Sequence, residues 1–204
     1  MKEIFTDIVL NNKWKKHPCG PGSTMAYTEN LRKALVPFLK LHNIKSILDL
    51  PCGDFSWMST TGITNDFNYI GADIVEPMIQ ANKEKYPDVD FRILDLTTDS
   101  LPEVDLLFCR DCLLHLSFDD IDRAFKNIID SNIKYILMST WFESATNERD
   151  IDTGKWRYID FTKSPYNFSK STESLSDWVH GFPRREMMLW PVETIKKYIQ
   201  DKGE

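Results

Sequence analysis

Residues 46–57, Ser-Ile-Leu-Asp-Leu-Pro-Cys-Gly-Asp-Phe-Ser-Trp, decide the fold. An apolar run, Ile47-Leu48, ends on Asp49 and Leu50; the tight segment Pro51-Cys52-Gly53-Asp54 follows, and then residues able to begin a helix. A buried parallel strand turning into a helix N-terminus reads this way. Such a turn brings backbone N–H groups up to a ligand, and Gly53, lacking a Cβ, permits close approach. The next apolar run, Tyr69-Ile-Gly-Ala-Asp73, ends on a second carboxylate. In nucleotide-binding α/β folds an acid about 20 residues beyond the first loop holds the ribose hydroxyls.

Outward from these two strands the chain alternates strand and helix. Phe55 to Thr61 reads as a short helix, and Pro77 suits the first turn of another, with Val75, Ile79 and Tyr86 on one face. Further strands are expected at Phe91–Asp95, Val104–Cys109 and Tyr135–Met138. Ser117-Phe-Asp-Asp120 resembles a capping box, and Ile121, Phe125 and Ile128 share a helix face behind it. Five strands alternating with helices predict a doubly wound parallel sheet, an α/β fold. Before it lie an arm over residues 1–22, with Ile4, Phe5, Ile8 and Val9 as a short amphipathic turn, and a helix to His42 capped by Ser23 or Thr24. Residues 141–178 are polar and aromatic without a helical period, and the chain closes on a strand at Glu186–Trp190 and a helix at Val192–Ile199.

The segment Asp49-Leu-Pro-Cys-Gly-Asp-Phe55 resembles the first motif of class I S-adenosylmethionine (SAM)-dependent methyltransferases, keeping its central glycine and replacing the outer two with Pro51 and Phe55. A dinucleotide would need G-x-G-x-x-G for its pyrophosphate, and there is none. SAM carries no pyrophosphate. Taken together, Cys19-Gly-Pro-Gly-Ser-Thr24, the Asp49 segment and Cys109-Arg-Asp-Cys-Leu-Leu-His-Leu-Ser117 resemble a small subgroup of that family, over roughly residues 18–160. Members of the subgroup accompany glycan-building enzymes in bacteria and large DNA viruses. The resemblance implies one domain over residues 1–204, a mostly parallel seven-stranded sheet ending in an antiparallel hairpin (Trp178–His180 as its other arm), and SAM as cofactor. It places Asp49 and the Gly53 backbone at the amino-acid end of SAM, Asp73 on the ribose diol, and Asp95 with Leu96 at the adenine. Leu50, Pro51, Cys52, Ile74 and Arg110 complete the expected cofactor set.

The reaction itself is best sought in Arg110-Asp-Cys-Leu-Leu-His115. Asp111 and His115 are four apart, so a helical turn puts them on one face. A hydroxyl is a poor nucleophile until its proton is taken, and a positioned histidine does this near neutral pH, oriented by a neighbouring carboxylate. The alternative is a packed histidine and an aspartate capping a helix. No N-P-P-[YF]-like motif, used by relatives acting on adenine or glutamine nitrogens, follows the fourth strand. The loop after the fifth could fit a sugar, with Trp156 stacking on a pyranose and Asn147, Asp150 and Arg157 meeting hydroxyls; surface pairing and loop packing explain these residues equally well. The reading is a sugar O-methyltransferase, of a deoxyhexose such as rhamnose within a glycan. Its rivals are methylation of another small molecule or a nucleic acid, and a fold that only binds a ligand or partner.

Composition bounds the rest. A net charge of −6 argues against a nucleic-acid partner, although Lys13, Lys15, Lys16 and His17 form one basic cluster. With no long apolar run and no signal-peptide pattern, a soluble, cytoplasmic protein without membrane insertion is expected. Cys19, Cys52, Cys109 and Cys112 then read as reduced structural thiols; Cys109-x-x-Cys112 has ligand spacing but no second pair nearby, and no metal is expected.

Overall fold

The computed structural model describes residues 1–15, 17–143, 145–169, 171 and 173–203; Lys16 of the basic cluster lies outside these. Its strands are β1 (Ser46–Asp49), β2 (Asn68–Asp73), β3 (Asp90–Ile93), β4 (Leu106–Cys109), β5 (Tyr135–Thr140), β6 (Ser174–Ser176) and β7 (Glu186–Pro191). They form one seven-stranded sheet in the order β3-β2-β1-β4-β5-β7-β6. The first five run parallel, and β7 lies antiparallel to both β5 and β6. The order reverses at β1, where Asp49 stands beside Gly71 of β2 and Phe108 of β4. Open α/β sheets bind ligands above the strand ends at such a reversal.

Helices cover both faces, so successive strand residues are buried on opposite sides. Leu48, Leu107 and Ile136 pack toward α5 (Phe118–Asp130) and α6 (Val192–Gly203), while Ile47, Leu106 and Leu137 pack toward α2 (Glu29–Leu41), α3 (Ile63–Asp66) and α4 (Glu76–Lys85). Each such aliphatic side chain removed from water contributes about 1.5–3 kcal/mol. The expected cap on α5 is present: Ser117 Oγ accepts the Asp120 N–H at 3.2 Å. The arm forms α1 (Lys2–Leu10).

Three local expectations are corrected. Ser23 and Thr24 do not cap α2, which starts at Glu29; their hydroxyls donate instead to the carbonyls of Cys19 and Pro21 in a turn. Residues 55–61 form no α-helix, only a 3₁₀ turn at Met58–Thr61, because Phe55 has φ +56° and is locked in an aromatic cluster with Tyr69, Tyr86 and Phe91. The hairpin partner of β7 is Ser174–Ser176 and not Trp178–His180: Asp177 leaves the sheet to meet two arginines, and the Trp178 indole donates to the Phe182 carbonyl.

Candidate active site

Above the reversal point lies a cavity of about 700 Å³. Its walls include Asp49, Leu50, Pro51, Cys52, Gly53, Asp73, Ile74, Asp95, Leu96 and Arg110, every residue assigned to the cofactor from the sequence. Asp73 ends β2 with one oxygen accepting the Gly53 N–H (3.2 Å) and the other the Val75 N–H (3.0 Å). It thereby ties the turn after β1 to the turn after β2. Asp49 accepts a hydrogen bond from the Tyr69 hydroxyl. Burial pushes the Asp49 carboxyl up to about 8 and the Asp73 carboxyl up to about 6. Two acids in a dry wall suit a ligand that brings positive charge and hydroxyl donors. Beyond Asp73 the wall turns apolar with Ile74, Val75, Leu94 and Leu96. Asp95 there spends one oxygen on Thr97, through its N–H at 2.9 Å and its hydroxyl at 2.6 Å.

The arm roofs the cavity. Cys19 Sγ accepts the Asp54 N–H at 3.2 Å, and a Cβ on Gly53 would lie 2.9 Å from that sulfur, so this close approach needs glycine. His17 Nδ1 accepts the Cys19 N–H, which puts the ring proton on Nε2, 3.5 Å from the Asp54 carboxylate. All four cysteines are free thiols; Cys109 is buried under the sheet end and Cys112 is half-buried beside the cavity.

At the far end Asp111 and His115 both line the cavity, but not as a helical pair. Asp111 has φ +52°, and the turn after it, Leu113–His115, is 3₁₀. His115 is oriented by backbone: Nδ1 lies 2.8 Å from the Lys155 carbonyl, which can only accept. Nδ1 therefore carries the proton and Nε2 the free lone pair. Trp14 packs against the imidazole, ring centroids 5.2 Å apart, and burial lowers the His115 pKa below 6.5. Asp111, expected to orient that ring, instead receives Arg185 Nη1 at 2.6 and 2.7 Å on its two oxygens.

Arg110 is also corrected. It faces the cavity but commits its donors to Asp177 (2.8 and 3.1 Å) and the Gly22 carbonyl (2.8 Å). Arg185 Nε meets the same Asp177 at 2.8 Å. Two arginines and two aspartates thus form a buried cluster of zero net charge. Asp177 and Arg185 escaped the sequence reading, since neither sits in a recognisable motif.

Among the residues assigned to the acceptor, only Trp156 lines the cavity, at 59% exposure on its rim. The other three hold the loop in place. Asn147 bonds the carbonyls of Asp160 and Ser164, Asp150 accepts the Phe118 N–H at the start of α5, and Arg157 donates to the Leu116 carbonyl. Their polar atoms satisfy the backbone of an irregular segment that cannot satisfy itself. Trp141 and Tyr158, half or fully buried and 5.8 Å apart, continue the aromatic wall.

Residues 47–131 match the family model described as a methyltransferase domain. The fold is a methyltransferase fold. Magnesium protoporphyrin IX methyltransferase from Synechocystis PCC 6803, crystallised with SAH, superposes at a TM-score of 0.66, with 13% identity over 94% of this chain and 99% of that one. A DhpI–SAH complex gives 0.61, with 15% identity over 93% and 94%. A protein of Invertebrate iridescent virus 6 named "Putative methyltransferase 235L" is 25% identical over 81% of this chain and 64% of its own length. The chain thus spans about two thirds of the curated relative it matches. Within this methyltransferase fold the matched segment supplies Asp49, Gly53, Asp73, Asp111 and His115, whereas Trp14, Trp156, Tyr158, Asp177 and Arg185 come from outside it. No helix among the described residues is long and apolar enough to cross a membrane.

Proposed function

We propose that this chain transfers a methyl group from SAM to a hydroxyl of a sugar ring in a glycan, with His115 as general base. The observation carrying this reading is the His115 tautomer: Nδ1–H is spent on the Lys155 carbonyl, leaving Nε2 as an unprotonated acceptor in the cavity wall. SAM would contribute an electrophilic methyl on a sulfonium. Asp73 would receive the ribose hydroxyls, Asp49 would face the cationic amino-acid end, and Leu94, Leu96, Ile74 and Val75 would enclose the adenine. His115 Nε2 would take the acceptor's proton as its oxygen bonds to the methyl carbon, and the sulfur would keep the electrons of the broken bond. Because the His115 pKa is lowered, the base is neutral at pH 7 and activity falls as pH drops through that value, below about 6.5.

The sugar assignment rests on Trp156 at the rim with Trp141 and Tyr158 behind it, since aromatic faces pack on pyranose C–H groups. Asn147, Asp150 and Arg157 do not support it, as they face the loop. That scarcity of polar side chains favours one second reading, a flatter and less hydroxylated acceptor such as a phenol. Incubation with SAM and panels of oligosaccharides, nucleotide sugars and phenols, read as a mass gain of one methyl, separates the two. Methylation at nitrogen alone would sink both. His115→Gln is expected to cut turnover by roughly 10²–10⁴-fold with SAM affinity intact. Turnover at the wild-type rate would remove His115 as the base.

A further inference from the structure

We propose that Arg185 is a positioning residue that pairs with Asp111 and so sets the charge presented to His115 across the cavity. The inference rests on the base assigned above and concerns how its basicity is set. Asp111 and His115 line the same cavity, and the Asp111 carboxylate is turned to Arg185. Three contacts decide the matter. Arg185 Nη1 takes both carboxylate oxygens, Ser139 Oγ accepts the Asp111 N–H at 3.0 Å, and Arg110 Nη1 lies 3.5 Å from Oδ2. Gly22 closes the fourth side: a Cβ there would fall 2.7 Å from Asp111 Oδ2. Arg185 is itself fixed by Asp177 through Nε and flanked by the Tyr27 ring at 4.7 Å and the Trp141 ring at 5.6 Å.

The groups facing His115 are few. Trp14 from the arm and the Lys155 carbonyl from the loop are uncharged, and the Lys155 ammonium is paired with Asp152. Lys13 lines the same cavity with its ammonium on Asp7. Asp111 is the acid acting on the imidazole, and it belongs to the Arg110–Asp111–Asp177–Arg185 cluster, whose charges cancel. Removing Arg185 leaves one net negative charge near the ring and favours imidazolium. Removing Asp111 leaves one net positive charge and disfavours it. Removing both restores neutrality. If the cluster's charges do not reach the ring, the His115 pKa stays unchanged in all three variants, which overturns the proposal.

The test is an NMR titration of the His115 imidazole, assigned by its loss in His115→Gln, so it does not depend on any acceptor being found. Arg185→Met should raise the His115 pKa, because it leaves the Asp111 charge unpaired. Asp111→Asn should lower it, and Arg185→Met/Asp111→Asn should return it near wild type. Arg185→Lys, which keeps the charge without the fork, should lie between wild type and Arg185→Met. Where methylation is measurable, the acid limb of kcat should follow the same order. Each single variant leaves a buried charge unpaired, so folding is checked by near-UV dichroism, and the charge-balanced double variant carries the test if a single variant unfolds. A double variant that folds but keeps the His115 pKa far from wild type overturns the proposal, as do single variants that both shift it the same way. If the titrations behave as expected while His115→Gln remains fully active, the charge relation stands and the catalytic reading fails.

Discussion

Asp73 uses one lone pair of each oxygen on the backbone, leaving further lone pairs for a ligand's diol. Its removal therefore should cost both turn geometry and ligand contacts. Asp73→Asn, which keeps the shape, should weaken SAM binding more than tenfold, from about 1.5–3 kcal/mol per charge-assisted hydrogen bond. Unchanged affinity by calorimetry would take Asp73 out of the site. The carboxyl sits at about 6, so below that pH the apo protein holds a proton that diol binding must expel. SAM affinity should fall as pH drops through 6, toward tenfold per unit, and not in Asp73→Asn. Trp156 stands on the rim of the same cavity. Trp156→Ala should raise the acceptor KM with SAM affinity nearly unchanged; an equal loss of both would place the indole elsewhere. Strand-end acids were legible because strand and turn patterning located them. Arg185 was not, because its partners Asp111 and Asp177 are distant in sequence and no spacing connects them.

At the scale of elements, α1 is held over the cavity by Lys2 pairing with Glu76 and by Ile4 and Ile8 seated on Gly154. A Cβ on Gly154 would fall 2.5 Å from Ile4 Cγ2, at a φ of +98° that favours glycine. Gly154→Ala should lift α1, weakening SAM binding several-fold while leaving the sheet's far-UV signal intact. Ile4→Ala in the same chain should recover part of the loss, since it removes the colliding methyl; no recovery would mean that backbone strain alone acts. The central parallel strands β1, β4 and β5 were legible to within a few residues because burial on both faces leaves apolar runs. The segment over residues 141–178 was legible only as lacking a helical period. Its path depends on Gly154 N–H reaching the His115 carbonyl and Arg157 N–H reaching the Leu114 carbonyl, pairings that no local pattern announces. That path explains why Trp156 reached the cavity and Asn147, Asp150 and Arg157 did not.

For the whole molecule, Asp49 at about 8 and Asp73 at about 6 make the fold pH-sensitive. Both groups bind protons more tightly folded than unfolded, where a carboxyl titrates near about 4. Their contribution is full below that value and is lost as pH rises through 6 and 8. The ligand-free thermal midpoint should therefore decline between about pH 5 and pH 8 more steeply than in Asp49→Asn/Asp73→Asn. Identical slopes would refute the shifts. The arm adds a constraint of another kind. Cys19 Sγ rests on the Asp54 N–H beside Gly53, and three residues later the Gly22 carbonyl receives Arg110. Under the proposed function, this short span would act as a gauge block, setting the separation between SAM and the acceptor. Lengthening it by a single glycine between Gly20 and Pro21 should leave each ligand's own affinity close to normal yet slow the transfer between them.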